Sequence, residues 1–189
     1  MTISNTLRTL VTSSHGVGER QENDYYATEP KAVELLLEKE KFSHRVLEPS
    51  CGEGHMSKVL MKQNYNVSSF DLIDRGFGEV KDFFEIEKFN GDIITNPPYK
   101  MALDFVKHAL DVVPVGNKVA MFLKIQFLEG KVRSEFYKTN PPKRVYVASG
   151  RLNCAKNGEF EKYKSSAACY AWFVWRKGYA GKPEIDWIN

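Results

Sequence analysis

The residues of this 189-residue chain best suited to do chemistry are Asn96-Pro97-Pro98-Tyr99. They follow the apolar run Ile93-Ile94-Thr95, which reads as a buried strand, so the tetrapeptide stands where that strand ends. A planar amino group on an aromatic ring or an amide is a poor nucleophile because its lone pair is delocalised. Two acceptors held in a fixed geometry can draw its hydrogens and let the nitrogen rehybridise. Asn96 Oδ1 and the Pro97 carbonyl are such acceptors, Pro97 and Pro98 stiffen the backbone that aims them, and Tyr99 offers a ring face for stacking. A Pro-Pro helix start after a strand is the purely structural alternative, which the glycines and acid upstream weigh against.

A second group lies upstream. Glu48-x-x-x-Gly52-x-Gly54 sits where an earlier strand turns into a helix, a place where glycines let backbone N–H groups approach a ligand and the helix start favours a carboxylate or phosphate. The spacing matches neither the dinucleotide GxGxxG nor the P-loop pattern. About twenty residues on, Asp71 ends the next strand, where a carboxylate can accept from two ribose hydroxyls; Asp71 or Asp74 could equally cap the following turn. Asp82-Phe83 pairs an acceptor with an aromatic face that would suit an adenine, although Phe83 taken alone suits the core.

The elements that must position these residues alternate. After Pro30, Ala32, Val33, Leu35, Leu36 and Leu37 recur at helical spacing, predicting a helix over 30–40. Strands are predicted at 45–48, 66–71, 92–95, 119–124, 144–148 and 168–175. Further helices are predicted from about Met56, over 101–113 and over 132–137. The pattern predicts an α/β fold with a doubly wound, mostly parallel sheet and ligands at the carboxyl ends of its strands. Residues 1–23 carry no periodicity and read as a flexible N-terminal arm, leaving 24–189 as a single domain.

Composition narrows the classes. No run approaches the ~18 apolar residues of a membrane span and no leader pattern opens the chain. Cys51, Cys154 and Cys169 form neither a CxxC nor a Cys/His cluster, so neither a disulfide framework nor a metal site is expected and a reducing cytoplasm fits. Cys51 reads as a small packed residue. The formal charge is only +3, but residues 130–164 hold nine basic and three acidic side chains, a local excess of +6. Within it, 150–164 interleaves Arg151, Lys156, Lys162 and Lys164 with Phe160 and Tyr163, a composition that can track phosphates and stack on bases, or simply be a solvated loop.

Taken together, these motifs resemble the S-adenosylmethionine-dependent amino methyltransferases, and among them the DNA adenine-N6 methyltransferases of compact, prophage-like type. Leu47-Glu48-Pro49-Ser50-Cys51-Gly52-Glu53-Gly54 looks like their cofactor loop, Asp71 like their ribose acid, Asp82-Phe83 like their adenine contact, and Asn96-Pro97-Pro98-Tyr99 like their catalytic signature. Tyr25-Tyr26-Ala27-Thr28-Glu29-Pro30 resembles the element that closes over the methionine end, with a glutamate where Thr-Pro is the commoner form. The resemblance implies a Rossmann-like methyltransferase fold, with a seven-stranded sheet and an antiparallel last strand, and S-adenosyl-L-methionine as cofactor. Its contacts would come from Tyr26, Thr28, Glu48, Ser50, Gly52, Gly54, Asp71, Asp82, Phe83 and Asn96. It implies DNA as substrate, with an aromatic pressing the second face of a flipped adenine, Phe160 first and Tyr163 second, and Arg151, Lys156 and Lys162 on phosphates. Only about 40 residues follow the catalytic half's last helix, far fewer than the recognition domain such enzymes add, so a short or relaxed target is expected. The same Asn-Pro-Pro-Tyr chemistry would serve an RNA base or a protein glutamine N5. No membrane or metal partner is expected, and the chain would act as a monomer or weak dimer.

Overall fold

The computed structural model describes residues 25–156, 158–162 and 168–189. The predicted arm at 1–23 and the candidate aromatic Tyr163 lie outside the described residues, as does the side chain of Lys156.

Among the described residues eight strands form the main sheet, and apolar layers cover both of its faces. Its central members are β2 (Arg45–Glu48), β3 (Asn66–Asp71), β5 (Asp92–Thr95) and β6 (Lys118–Lys124), which run parallel to one another, with the two-residue β4 (Glu79–Val80) beyond β3. β7 (Arg144–Ala148) and β9 (Tyr170–Arg176) follow, β9 lying antiparallel between β6 and β7. A last strand, β10 (Glu184–Ile188), pairs parallel to β7 and gives the order β10-β7-β9-β6-β5-β2-β3-β4. The fold is therefore the expected Rossmann-like α/β arrangement with an antiparallel strand, but with eight strands in place of seven. β10 gives no signal in sequence because Glu184-Ile185-Asp186-Trp187-Ile188 is an edge strand whose first four residues are exposed. The antiparallel strand is consequently not the last one.

Period-two alternation divides the core. Leu47, Ile93, Val119, Met121, Leu123 and Phe173 face α3 (Ala102–Val112) with Phe105, Val106 and Ala109. Val46, Ile94, Ala120, Phe122 and Trp172 face α1 (Pro30–Lys39) and α2 (His55–Lys62) through Leu36, Leu60 and Met56. Burial on both faces explains why these strands are continuous apolar runs. α4 (Lys131–Thr139) precedes β7 and packs Phe136 and Tyr137 against the first cluster.

At the end of the sheet away from the glycine turn, the buried carboxylate of Glu40 closes α1 against the sheet. Its oxygens accept from Arg144 Nη1 and Tyr146 Oη, each at 2.7 Å, and from Lys118 Nζ. Burial alone would push this carboxyl up, yet these donors outweigh it and hold Glu40 below the usual carboxylate range.

The segment read as a loop contains a short strand. Within 150–164, β8 (Cys154–Lys156) pairs antiparallel with β1 (Tyr26–Thr28), matching Tyr26 with Lys156 and Thr28 with Cys154. Asn153 N–H donates to Glu29 Oε1 at 2.9 Å and extends the tie. Three residues per strand are too few to show an alternation in sequence, and the pairing is long-range, so only folding reveals it.

Candidate active site

The carboxyl ends of β2, β3 and β5 bring the sequence candidates to one edge of the sheet. β2 delivers the turn at Gly52 and Gly54, which have φ of +53° and +78°, a left-handed backbone that suits glycine. A Cβ on Gly52 would collide with the Tyr25 ring and one on Gly54 with the Phe77 ring, so two aromatics lie directly over the turn. Tyr25 is held there by its hydroxyl on His55 Nδ1 at 2.9 Å and by the Arg75 guanidinium 4.8 Å from its ring centre.

Beneath the turn, the Glu48 side chain is 1% exposed and accepts from Ser57 Oγ. Burial, with the charge of Asp71 nearby, pushes its carboxyl up to about 8, so it is mostly protonated at neutral pH. Glu48 thus supports the turn from the inside. Cys51 is buried in the same turn, its thiol pushed up to about 12 by burial with Glu48 and Asp71 adding to it, which leaves it unreactive.

Asp71, at the end of β3, accepts the Gly52 N–H on Oδ2 at 2.8 Å and the Ile73 N–H on Oδ1 at 3.1 Å. Each oxygen keeps a further lone-pair direction, so Asp71 both caps its turn and can still accept from a diol. Leu72 beside it is 66% exposed, an apolar surface next to the acid that no sequence motif marks. Asp82 Oδ1 accepts from Phe84 N at 2.9 Å and caps a short 3-10 turn. Phe83 is buried against Phe105 and His108, with ring centres 5.0 and 4.7 Å away; as placed it is core and presents no face to a ligand. Its carbonyl meets His108 Nε2 at 2.9 Å.

β5 delivers Asn96. Its Nδ2 donates to the Tyr26 carbonyl at 3.0 Å and lies 3.8 Å from Cys154 Sγ. Both contacts therefore come from the β1–β8 ribbon. The other amide atom, Asn96 Oδ1, is buried and has no hydrogen-bond partner among the described residues. A buried acceptor left open this way costs of the order of 1–3 kcal/mol unless something fills it. The Tyr26 carbonyl accepts only, so it fixes which amide atom is the nitrogen. Tyr99 begins a short turn before α3; its hydroxyl meets Tyr170 Oη at 2.9 Å, and burial raises its phenol well above the usual range. Tyr26 lies 5.9 Å from the Tyr99 ring and Lys124 Nζ 4.9 Å from its centre.

The basic loop reaches a different place from the one expected. Phe160 packs edge-on against His55 at 5.4 Å, at the glycine turn, and not against Tyr99. Arg151 and Lys162 are exposed, Arg151 Nη1 lying 3.7 Å from Cys169 Sγ and Lys162 Nζ 3.2 Å from Glu159. Among the described residues, no group of three or more His, Cys, Asp or Glu could hold a metal ion, and no helix is long and apolar enough to cross a membrane.

No family model matches the chain, and no curated protein does. Solved structures do. A candidate RNA methyltransferase from Pyrococcus horikoshii superposes with a TM-score of 0.54 at 14% identity, over 78% of this chain and 79% of its own. The modification subunit of a candidate type I restriction enzyme from Vibrio vulnificus YJ016 gives 0.57 at 11% identity over 95% of this chain, which spans 48% of that subunit. An S-adenosylmethionine-dependent O-methyltransferase from Thermotoga maritima gives 0.51 at 14% identity, over 81% and 67%. At such identities the likeness establishes the class I methyltransferase fold and leaves the substrate to the site's own chemistry.

Proposed function

We propose that this chain, which has the class I methyltransferase fold, transfers a methyl group from S-adenosyl-L-methionine to the N6 amino group of adenine in DNA. The observation that carries the reading is the buried Asn96 Oδ1, unpartnered among the described residues and fixed in orientation by the Tyr26 carbonyl at the end of a strand beside a glycine turn. An O-methyltransferase needs a base for a hydroxyl; an open amide acceptor followed by Pro97 suits an amino group.

The residues present fit the cofactor. Asp71 keeps acceptor capacity for the ribose hydroxyls, Leu72 offers an apolar surface to the adenine, and the Tyr25 and Phe77 rings that cover Gly52 and Gly54 would have to move aside for the methionine end to reach that backbone. Tyr26 and Thr28 would meet the cofactor from β1, Ser50 from the turn, and Asp82 from the cap of the short 3-10 turn. Glu48 and Phe83 act from behind as supports. The bound cofactor supplies an electrophilic methyl.

Asn96 Oδ1 and the Pro97 carbonyl accept the two amino hydrogens, and the nitrogen pyramidalises toward the methyl. With the cofactor held at Asp71 and the glycine turn, its methyl would pass from sulfur to this nitrogen, and the amino proton released would leave to solvent. A base must leave the duplex to reach Asn96, at a cost of a few kcal/mol that stacking on Tyr99 partly offsets. Lys124 now lies over the Tyr99 ring and yields that face to the base. DNA is favoured over protein by the exposed Arg151 and Lys162, with Lys156 between them in sequence, and is consistent with the restriction-system subunit among the structural neighbours.

Incubating the protein with labelled S-adenosylmethionine and duplex DNA, tRNA or a glutamine peptide tests this reading. Label should enter duplex DNA as N6-methyladenine. Label in tRNA or peptide alone would overturn the substrate, and none in any arm would overturn the activity.

A further inference from the structure

Cys154 has no part in the chemistry just described, yet its sulfur lies beside the catalytic amide. Its thiol is partly buried, with the side chains of Thr28, Tyr99 and Tyr170 within reach, and burial pushes it up to about 11, so at neutral pH it is a neutral thiol. An amide nitrogen carries two hydrogens. On Asn96 one is taken by the Tyr26 carbonyl at 3.0 Å, and the 3.8 Å approach of Cys154 Sγ supplies a weak acceptor for the other. With both hydrogens directed into the β1–β8 ribbon, Oδ1 can only face away from it. Were the amide rotated by 180°, Oδ1 would face the Tyr26 carbonyl and the Cys154 sulfur, and Nδ2 would be presented to the substrate. That orientation would offer a donor to an amino group, which cannot accept while its lone pair is conjugated.

We infer that Cys154, through Asn96 Nδ2, is a positioning residue that locks the Asn96 amide with its acceptor oxygen toward the substrate. The inference rests on the amino-methyltransferase reading for its consequence and on the geometry alone for the orientation. It also gives the ribbon a purpose: β1 belongs to the segment expected at the cofactor and β8 to the basic loop. The two strands that hold the amide are thus attached to the two binding regions, with Thr28 opposite Cys154 and Glu29 tied to Asn153. The amide is held only when both strands are in register.

The test uses the full chain with Cys154→Val, Cys154→Ser and Asn96→Asp. Valine keeps an apolar side chain and removes the acceptor; serine keeps an acceptor and serves as the conservative rescue. Two readouts are taken: kcat and KM for methyl transfer to DNA, and the Asn96 side-chain NH2 resonances in a 15N NMR spectrum, identified by their disappearance in Asn96→Asp. We expect Cys154→Val to lower kcat by about three- to tenfold, the range one weak hydrogen bond supplies, with KM for the cofactor within about twofold and the melting temperature unchanged. We expect Cys154→Ser to recover at least half of the loss. The Asn96 NH2 pair should shift and exchange faster in the valine variant alone. Unchanged kcat together with unchanged NH2 resonances in Cys154→Val would overturn the inference, as would a fall in kcat matched by serine and valine alike. If the wild-type chain methylates no nucleic acid, the function reading fails by itself, and the resonances still decide whether Cys154 holds the amide.

Discussion

Asp71 Oδ2 accepts the backbone N–H of Gly52 at 2.8 Å, so the end of β3 and the glycine turn after β2 form one unit before any ligand arrives. The acid that would meet the ribose thus also shapes the turn that would meet the methionine end, and a mutation here has two separable effects.

Replacing Asp71 with alanine should weaken S-adenosylmethionine binding by about 1.5–3 kcal/mol through loss of a charge-assisted acceptor, and lower unfolding free energy by about 1 kcal/mol through the lost backbone cap. Asp71→Asn retains an acceptor oxygen and should recover most of the stability and little of the affinity. Calorimetry and denaturant melts on the two variants separate these effects; unchanged cofactor affinity in Asp71→Ala would remove Asp71 from the site.

Much of this unit is legible in sequence because it depends on local features: a strand ending in glycines, a strand ending in an acid, and an apolar run ending in Asn96-Pro97-Pro98-Tyr99. The rest depends on long-range pairing or on which face a side chain takes. β1 and β8 are too short to announce themselves, so the partners of Asn96 Nδ2 leave no trace in the local sequence. Phe83 has the right type and position for a ligand contact, yet Phe105 and His108 take its ring into the core. Phe160 is expected on the second face of a flipped adenine, and in this structure its ring packs against His55. Tyr25 and Phe77 cover the glycines from sequence positions with no periodic signal, and β10 hides its single buried residue behind four exposed ones.

Glu40 predicts acid sensitivity. Its carboxyl titrates below its ordinary value of 4.5 in the folded chain, so it contributes stability above that value and loses it as pH falls through the lower folded value. Removing the buried partner in Glu40→Ala leaves Arg144, Lys118 and Tyr146 without their acceptor and should cost about 3 kcal/mol at pH 7. Chemical denaturation at pH 7 and at about pH 3 should show the gap between wild type and variant shrinking in acid. An equal gap at both values would contradict the assignment.

Glu48 predicts the opposite slope. Its carboxyl is raised from 4.5 to about 8, so its contribution is complete below pH 4.5 and is lost as pH climbs toward 8. Glu48→Gln, which keeps an acceptor for Ser57 and cannot ionise, should be the more stable chain near pH 8 and match wild type near pH 5. Melting curves at the two values check this; a variant less stable than wild type at both would mean that Glu48 works as a charged group.

The basic loop predicts a salt effect. Neutralising Arg151, Lys156 and Lys162 together should lower DNA affinity and flatten the slope of log K against log salt by up to about 0.9 for each phosphate no longer neutralised, with S-adenosylmethionine affinity unchanged. An unaltered slope would move the DNA face to Lys124, beside Tyr99.

The central claim is that the open acceptor on Asn96 activates an adenine amino group, and the direct measurement is single-turnover methyl transfer to duplex DNA by wild type and Asn96→Ala at saturating S-adenosylmethionine. Losing one oriented acceptor in a dry site should cut the rate by a factor of about 10² to 10³, while cofactor affinity changes by less than about twofold. A wild-type rate in Asn96→Ala, or a covalent protein–DNA adduct in either chain, would contradict the account.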